Sequence, residues 1–232
     1  MTPHSQFDRH AESYDRYNLV QTRVARALVS KIGGGFERLV DLGCGSGGFF
    51  RAYDRPFTSY LAVDLSPRML ARHPEGEGVR KVVGDFDDPA LFGILERERF
   101  DLLVSASALQ WAKDLDGVLG RIASLGKPVA LALFTAGTFA TLHRTGGTRS
   151  PIRDREETAA LLQKHFDARV DILKYELYFR DTLSMLRYIK RSGVSGGRQV
   201  AGYKNLKRVL RNYPLPYLEF EVVTAVSEKI SR

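Results

Sequence analysis

One feature limits most strongly how this chain folds: a predicted strand is followed directly by a glycine-rich loop. Residues 38–42 form a short apolar run around one acid, and glycines follow at 43, 45 and 47. Because glycine has no Cβ, the backbone turns sharply there and a ligand approaches it closely. Residues 48–53 then predict a helix. The order of strand, tight loop and helix is typical of the first unit of a parallel α/β sheet.

The same alternation of strand and helix continues along the chain. Further strands are predicted at 59–63, 79–83, 100–104 and 128–134, with helices at 66–72, 89–95 and 114–125. A helix at 154–165 and longer strands at 168–179 and 217–227 follow. This pattern predicts an α/β fold with an open, twisted, mostly parallel sheet of seven strands and helices on both faces. Such sheets bind ligands at the carboxyl ends of their strands.

The segments outside this alternation predict a cap and a cover on a single domain of residues 1–232. Apolar residues at intervals of three and four predict a helix over 18–32, within an N-terminal helical cap at 7–35. The cofactor-binding core is expected at 36–135. A helical insertion at 181–212 is too long for a simple hairpin, so we expect it to cover the substrate site.

The composition predicts a globular protein with no membrane partner. The chain has 232 residues, of which 44% are apolar and 27% are charged. It contains no uninterrupted apolar run of about 18 residues, and Met1 to Arg9 is too polar for the apolar part of a signal peptide. The single cysteine, Cys44, has no partner for an internal disulfide. We therefore expect a cytoplasmic location.

The charge of the chain is positive and unevenly distributed. The formal net charge is +8. Between Lys174 and Arg211, ten Lys and Arg residues stand against two acids, Glu176 and Asp181. This strip is either a solvated helix face or a docking surface for an anionic partner such as an acidic protein or a nucleic acid.

Three acids lie at or just after the ends of three successive predicted strands. Asp41 precedes the glycines, Asp64 closes the second strand, and Asp85 follows the third strand beside Phe86. Because the carboxyl ends of neighbouring parallel strands meet at one rim, we expect these carboxylates to face one ligand. Asp64 is placed to accept both hydroxyls of a ribose. Asp85 and Phe86 suit the amino group and the ring of an adenine.

Two adenosine-containing cofactors fit these residues. The dinucleotide fingerprint is Gly-x-Gly-x-x-Gly, and Gly48 satisfies that spacing, so the glycines alone leave an NAD-dependent dehydrogenase possible. Asp41 discriminates between the two. A carboxylate just before the loop repels a pyrophosphate but attracts a cofactor with a sulfonium and an ammonium group. The residues therefore favour S-adenosylmethionine (SAM).

The chain resembles the Rossmann-like SAM-dependent methyltransferases over roughly residues 7–135. The motifs that carry this resemblance are Asp41 to Gly47, Asp64, Gly84-Asp85-Phe86 and Ser105 to Trp111. Within the superfamily it is most similar to the malonyl-acyl-carrier-protein O-methyltransferases of biotin synthesis, with the trans-aconitate methyltransferases as near neighbours. The finer similarity rests on Phe7 to Asp15 with Gln21, Ala108 to Trp111, Phe134 to Phe139, Leu186 to Gly193 and Tyr213 to Tyr217.

The resemblance implies SAM as cofactor, S-adenosylhomocysteine as product, and a role for each matching residue. The methionine part of SAM is expected at Asp41, Gly43 and Gly45, and the ribose at Asp64. The adenine is expected at Met69, Asp85 and Phe86, and Leu65 is expected among the cofactor-binding residues. Ser105 and Leu109 are expected near the reacting methyl group, and Tyr14 is expected to close over the cofactor.

The substrate pocket is expected at Tyr14, Ser107, Trp111 and a cation that holds the acceptor carboxylate. Arg144 is the first candidate for that cation and Lys190 the second. Ser107 departs from the family pattern, which leaves the substrate preference open. A carboxylate is already ionised near neutral pH, so we predict no acid–base pair. We also predict no metal site, because the sequence shows no cluster of metal ligands.

These observations predict an enzyme that methylates a carboxylate oxygen, namely the free carboxylate of malonyl-acyl-carrier protein in biotin precursor synthesis. The basic strip would suit an acidic carrier protein. One alternative is methyl transfer to a small free polycarboxylate, like trans-aconitate, or to another oxygen. A second alternative is a basic SAM-binding protein that docks nucleic acid. No recognised nucleic-acid-binding motif supports the second alternative.

Overall fold

The computed structural model describes residues 18–192 and 203–227. Seven strands form its sheet: β1 (Arg38–Leu42), β2 (Ser59–Asp64), β3 (Val79–Val83), β4 (Leu102–Ala106), β5 (Val129–Phe134), β6 (Arg169–Tyr178) and β7 (Tyr217–Val226). Nine helices surround it within these residues: α1 (Leu19–Lys31), α2 (Gly48–Ala52), α3 (Pro67–Arg72), α4 (Pro89–Leu95), α5 (Leu115–Ser124), α6 (Ala140–Gly146), α7 (Arg155–His165), α8 (Thr182–Ser192) and α9 (Tyr203–Asn212). A 3₁₀ turn at Leu109–Trp111 follows β4.

The sheet is open, and all but one of its strands run in the same direction. The strand order is β3-β2-β1-β4-β5-β7-β6. The first five strands pair in parallel, whereas β7 is antiparallel to both β5 and β6. The predicted open, mostly parallel, seven-stranded sheet is therefore confirmed. Strand β1 lies between β2 and β4, so the glycine loop after β1 lies next to the ends of those two strands.

Two apolar cores lie on opposite faces of the sheet because successive side chains of a strand alternate between faces. In β5, Ala130, Ala132 and Phe134 belong to one core, and Val129, Leu131 and Leu133 belong to the other. Residues of α1, α2, α3, α6, α8 and α9 pack in the first core. Residues of α4, α5 and α7 pack in the second. Both faces of the central strands are thus covered, which explains why β5 is apolar throughout.

The structure differs from the predicted elements after β4 and after β5. Strand β4 ends at Ala106, two residues later than predicted, and the 3₁₀ turn and α6 were not predicted. Helix α6 begins after Phe139, whose φ is 59°. The backbone N–H and the hydroxyl of Thr141 donate to the carboxylate of Glu219, at 2.9 and 2.8 Å. A distant residue on β7 therefore caps α6, and the sequence near α6 contains no signal that predicts this helix.

The insertion between the last two strands packs beside α6. Met185 and Tyr188 of α8 and Val209 of α9 are buried in the same core as Leu142 and Phe220. Residues 193–202 lie outside the described residues, as do residues 1–17 with Tyr14, so the predictions for those segments stay predictions. Among the helices of the described ranges, none is long and apolar enough to cross a membrane.

Candidate functional site

A cavity of about 940 Å³ lies at the carboxyl ends of the central strands. Its lining comes from α1, from the loop after β1, from the ends of β2 and β3, from the segment after β4, and from residues 151–157. The volume is within the range of about 300–1,000 Å³ that is typical of small-molecule sites. The cavity therefore lies where ligands bind in open α/β sheets.

The glycine loop forms one wall of the cavity and needs glycine for two different reasons. Gly43 has a φ of 71°, and a Cβ there would lie 2.2 Å from the Cβ of Ala108. Gly45 has a φ of 55°, but a Cβ there would meet no atom within 4 Å. Gly43 thus allows close packing of the β1 loop against the segment after β4. Gly45 leaves open space beside a cavity-lining backbone, which a bound ligand can fill.

Hydrogen bonds to β2 hold this loop in place. The N–H groups of Gly43 and Cys44 both donate to the carbonyl oxygen of Val63, at 2.8 and 3.0 Å. The N–H of Gly45 donates to Oδ2 of Asp64 at 2.8 Å, and the N–H of Ser66 donates to Oδ1 of the same residue at 2.8 Å. The Asp64 carboxylate therefore ties the glycine loop to the start of α3 and also lines the cavity.

Asp41 is a buried acid at the end of β1. Its residue is 1% exposed, and Oδ2 accepts a hydrogen bond of 2.7 Å from the hydroxyl of Tyr60 on β2. Burial is the main cause that raises the pKa of Asp41 to about 7; the Tyr60 hydrogen bond lowers it, and the nearby Asp64 charge raises it. Asp41 also lines the cavity. A cationic ligand that enters would favour its ionised form.

The other residues predicted to hold the cofactor divide into two groups. Leu65, Met69, Asp85 and Phe86 line the cavity, near the ends of β2 and β3. Ser105 and Leu109 do not line it, and both are fully buried. The hydroxyl of Ser105 donates to the carbonyl oxygen of Leu42 at 2.7 Å, so it links β4 to β1 beneath the cavity. The predicted nearness of Ser105 and Leu109 to the reacting methyl stays a prediction.

The segment after β4 supplies polar atoms that have no protein partner. Ser107 has a φ of 68°, a conformation that costs a residue with a side chain about 1–3 kcal/mol. Within the described residues, the buried Oγ of Ser107, Oε1 of Gln110 and Oε1 of Gln21 have no hydrogen-bond partner. All three residues and Trp111 line the cavity. Buried polar atoms without partners are rare, so they indicate a site that a polar ligand satisfies.

The two cations predicted for the substrate lie elsewhere. Arg144 is exposed on α6, and its guanidinium donates to Oγ1 of Thr141 at 2.9 Å. Lys190 is exposed on α8. Neither lines the cavity. Arg144 lies on α6, a helix that the sequence does not predict, and Lys190 lies in the insertion between the last two strands. The structure therefore gives no support to these two assignments.

Two other cations, Arg153 and Lys113, line the cavity instead. Arg153 directly precedes Asp154, whose side chain accepts from the N–H of Glu157 and caps α7. The sequence contained a signal for this position, because a helix that follows a parallel strand begins at the carboxyl-end rim of the sheet. No group of three or more His, Cys, Asp or Glu in residues 18–192 and 203–227 is arranged to hold a metal ion.

Comparisons with known proteins bear on this site. A family model described as a methyltransferase domain matches residues 40–134. The malonyl-acyl-carrier-protein O-methyltransferase of Chlorobium luteolum is 33% identical over 213 residues, covering 82% of this chain and 77% of that protein. The enzyme of the same name from Geobacter sulfurreducens is 31% identical over 236 residues, covering 89% of this chain and 88% of that protein.

A solved structure shares the fold. The phosphoethanolamine N-methyltransferase 2 of Haemonchus contortus, in complex with phosphomonomethylethanolamine and S-adenosylhomocysteine, superposes with a TM-score of 0.57. It is 18% identical and covers 98% of this chain and 60% of that chain. This likeness concerns the fold, and it confirms the Rossmann-like class of the sheet.

The chain belongs to the SAM-dependent O-methyltransferases. The family match and the curated relatives confirm the predicted enzyme class and the predicted cofactor, SAM. The residues present also fit SAM. The buried Asp41 carboxylate suits a cation, and the open space beside Gly45 admits a ligand against the backbone.

Replacing Asp41 with Asn should stabilise the ligand-free protein at pH 8 and weaken SAM binding. The pKa of Asp41 in the folded state is raised, so its unfavourable contribution is absent below pH 3.8, grows as the pH rises and is complete above about pH 7. The rise corresponds to about 4 kcal/mol at most. Urea unfolding at pH 8 should show a gain of this order, and calorimetry should show SAM binding weakened at least about tenfold.

The matched control is Asp54→Asn, which neutralises an exposed acid outside the cavity. It should change neither the stability at pH 8 nor the affinity for SAM. If Asp41→Asn bound SAM as tightly as the wild type, the role of the Asp41 charge would be refuted.

Proposed function

We propose that this enzyme transfers the methyl group of SAM to the free carboxylate of a malonyl thioester carried by an acyl carrier protein, a step of biotin precursor synthesis. Relatives of that name at 33% and 31% identity, which align over most of both chains, carry the proposal. The distribution of charge in the cavity supports it. Acids lie at the ends of β1, β2 and β3, and cations lie after β4 and before α7.

The residues at the acidic end are assigned to SAM on the basis of their positions. We assign the methionine part to Asp41, Gly43 and Gly45, because the buried charge and the open backbone lie there. The ribose is assigned to Asp64. The adenine is assigned to the outer strand ends, where Leu65, Met69, Asp85 and Phe86 line the cavity.

The methyl transfer requires the protein mainly to orient the acceptor and the methyl donor. Bound SAM supplies a methyl group on a cationic sulfur, and that carbon–sulfur bond breaks as the acceptor oxygen attacks. A carboxylate has a pKa of about 4 in water, so the acceptor is ionised at neutral pH and no general base is required. The chain holds the acceptor in line and removes water from it. Such positioning can lower a barrier by about 7–11 kcal/mol.

The carrier protein is proposed to dock on α8 and α9. The sequences of both helices contain no Asp or Glu. Arg187 and Lys190 on α8 and Arg208 and Arg211 on α9 are exposed. Leu183, Leu206 and Leu210 are also exposed, at 46%, 38% and 41%. Acyl carrier proteins are acidic, so a basic surface with apolar side chains among the charges is complementary to them.

Purified enzyme with SAM should add one methyl group to malonyl carrier protein, detected by mass spectrometry of the intact carrier. Malonyl-pantetheine should react with a higher KM because it lacks the carrier surface, and free trans-aconitate should react poorly. Absence of a methyl ester on the carrier under saturating SAM would refute the proposal. Methylation of a free polycarboxylate instead would favour the alternative acceptor. Salt-sensitive RNA binding with no methyl transfer would favour the nucleic-acid alternative.

The cytoplasmic location stays a prediction.

Reversing two charges on the docking surface, Arg187→Glu with Arg211→Glu, should raise the KM for malonyl carrier protein about three- to tenfold. The effect should shrink at high salt, because exposed charges are screened. The KM for malonyl-pantetheine should not change.

Arg97→Glu with Arg99→Glu makes the same change of charge at two exposed arginines between α4 and β4. This control should change the KM for the carrier less than twofold. Equal effects of the two double variants, or an equal effect on malonyl-pantetheine, would rule out α8 and α9 as the docking surface.

A further inference from the structure

We propose that the guanidinium of Arg153 binds the acceptor carboxylate. This inference rests on the proposed function, because it assumes an anionic acceptor. It replaces Arg144 and Lys190, which lie outside the cavity.

Three acids of the cavity lining lie at one end of it, at the ends of β1, β2 and β3, whereas Arg153 lies at the other end with Glu157 as its partner. The acids of the whole lining are Asp41, Asp64, Asp85, Asp87 and Glu157, and the cations within the described lining are Arg153 and Lys113. The carboxylates at the ends of β1, β2 and β3 would strongly repel an anionic acceptor that bound beside them. It requires a positive group at the other end, and the lining places its arginine there.

The backbone of Arg153 is held at the rim of the sheet on the β5 side. Its carbonyl oxygen accepts a hydrogen bond of 2.7 Å from the N–H of Ala136, which lies in the loop after β5. The next residue, Asp154, caps α7. Because β4 lies between β1 and β5 in the sheet, Arg153 and the glycine loop after β1 flank the end of β4. An acceptor at Arg153 therefore lies beside the methionine end of the proposed SAM site.

The guanidinium is held in position largely by neutral groups. Its Nη1 donates to the carbonyl oxygen of Ala112 at 3.3 Å, and its Nη2 donates to the carbonyl oxygen of Lys113 at 3.4 Å. Its Nε lies 3.2 Å from Oε1 of Glu157, whose side chain is 53% exposed. A guanidinium has five N–H groups. These contacts use one N–H on each nitrogen, so two N–H groups of the guanidinium remain for a carboxylate.

The neighbouring arginines show why Arg153 differs. Arg155 pairs with both Glu156 and Glu221. Arg144 is exposed and bonds to Thr141, which in turn bonds to Glu219. Arg153 alone of these three lines the cavity, and its side chain is only 25% exposed, so its charge is screened less than that of a surface arginine.

The test compares Arg153→Gln and Arg153→Lys with the matched control Arg144→Gln. Calorimetry on the full chain saturated with S-adenosylhomocysteine measures binding of malonyl-pantetheine. We expect Arg153→Gln to weaken binding about 100-fold and Arg153→Lys about tenfold, because lysine keeps the charge but loses the two-sided contact. Arg144→Gln should bind as the wild type does. All three should bind S-adenosylhomocysteine within twofold of the wild type, which shows that they are folded.

A second probe keeps the test independent of variant stability. Malonamyl-pantetheine has an amide in place of the carboxylate, so wild-type protein should bind it far more weakly than malonyl-pantetheine. Arg153→Gln should bind the two alike. If Arg153→Gln kept the wild-type preference for the carboxylate, or if Arg144→Gln lost as much affinity, the inference would be overturned.

The outcomes also separate this inference from the proposed function. If the wild type binds malonyl-pantetheine through Arg153 but forms no ester on the malonyl carrier, only the proposed function fails. If the wild type methylates the carrier and Arg153→Gln does so with unchanged KM, only the assignment of Arg153 fails. If the wild type neither methylates the carrier nor binds the carboxylate probe, both fail.

Discussion

The buried carboxylate of Asp41 is the constraint on which the rest of the site depends. It stands at the end of the central strand β1, 1% exposed, with the Tyr60 hydroxyl as its hydrogen-bond partner. Burial is the main cause that raises its pKa to about 7, so keeping it ionised there is unfavourable. The two apolar cores on the faces of β1 and β2 offset that cost. A charge held at such a cost is well suited to a cationic ligand, and SAM is one.

The order of the strands places the acids at the ends of β1, β2 and β3 on one side of the cavity. Strands β2 and β3 lie on one side of β1 and add Asp64 and Asp85 to the rim, whereas β4 and β5 lie on the other side. On that second side the lining includes Lys113, Arg153 and the unpartnered hydroxyl of Ser107. The first side therefore favours a cation, and the second side offers Arg153, which is partly paired with Glu157, to an anion. This polarity suits methyl transfer from a sulfonium to a carboxylate.

The sequence predicts the strands well, and most residues that it assigns to the cofactor line one cavity, because both predictions depend on local patterns. The strands are apolar runs, and the assigned residues lie at strand ends or just after them: Asp41, Gly43, Gly45, Asp64, Asp85 and Phe86. The acceptor side depends on contacts between distant residues. Helix α6 begins where the Glu219 carboxylate on β7 accepts from Thr141, and Arg153 reaches the rim because Ala136 donates to its carbonyl oxygen. Ser107 and Phe139 have positive φ angles although neither is a glycine, so the sequence does not indicate these two backbone conformations.

The most direct test of this account is the number of protons released when SAM binds. Titration calorimetry at pH 6 in two buffers of different ionisation enthalpy measures that number. The pKa of Asp41 is about 7 in the free protein, so most molecules carry a proton on this carboxyl at pH 6. The sulfonium and the ammonium group of SAM already carry their charges at that pH, so they contribute no proton to the measured number. The account predicts that close to one proton leaves for each SAM bound. A binding enthalpy that is the same in both buffers would contradict it.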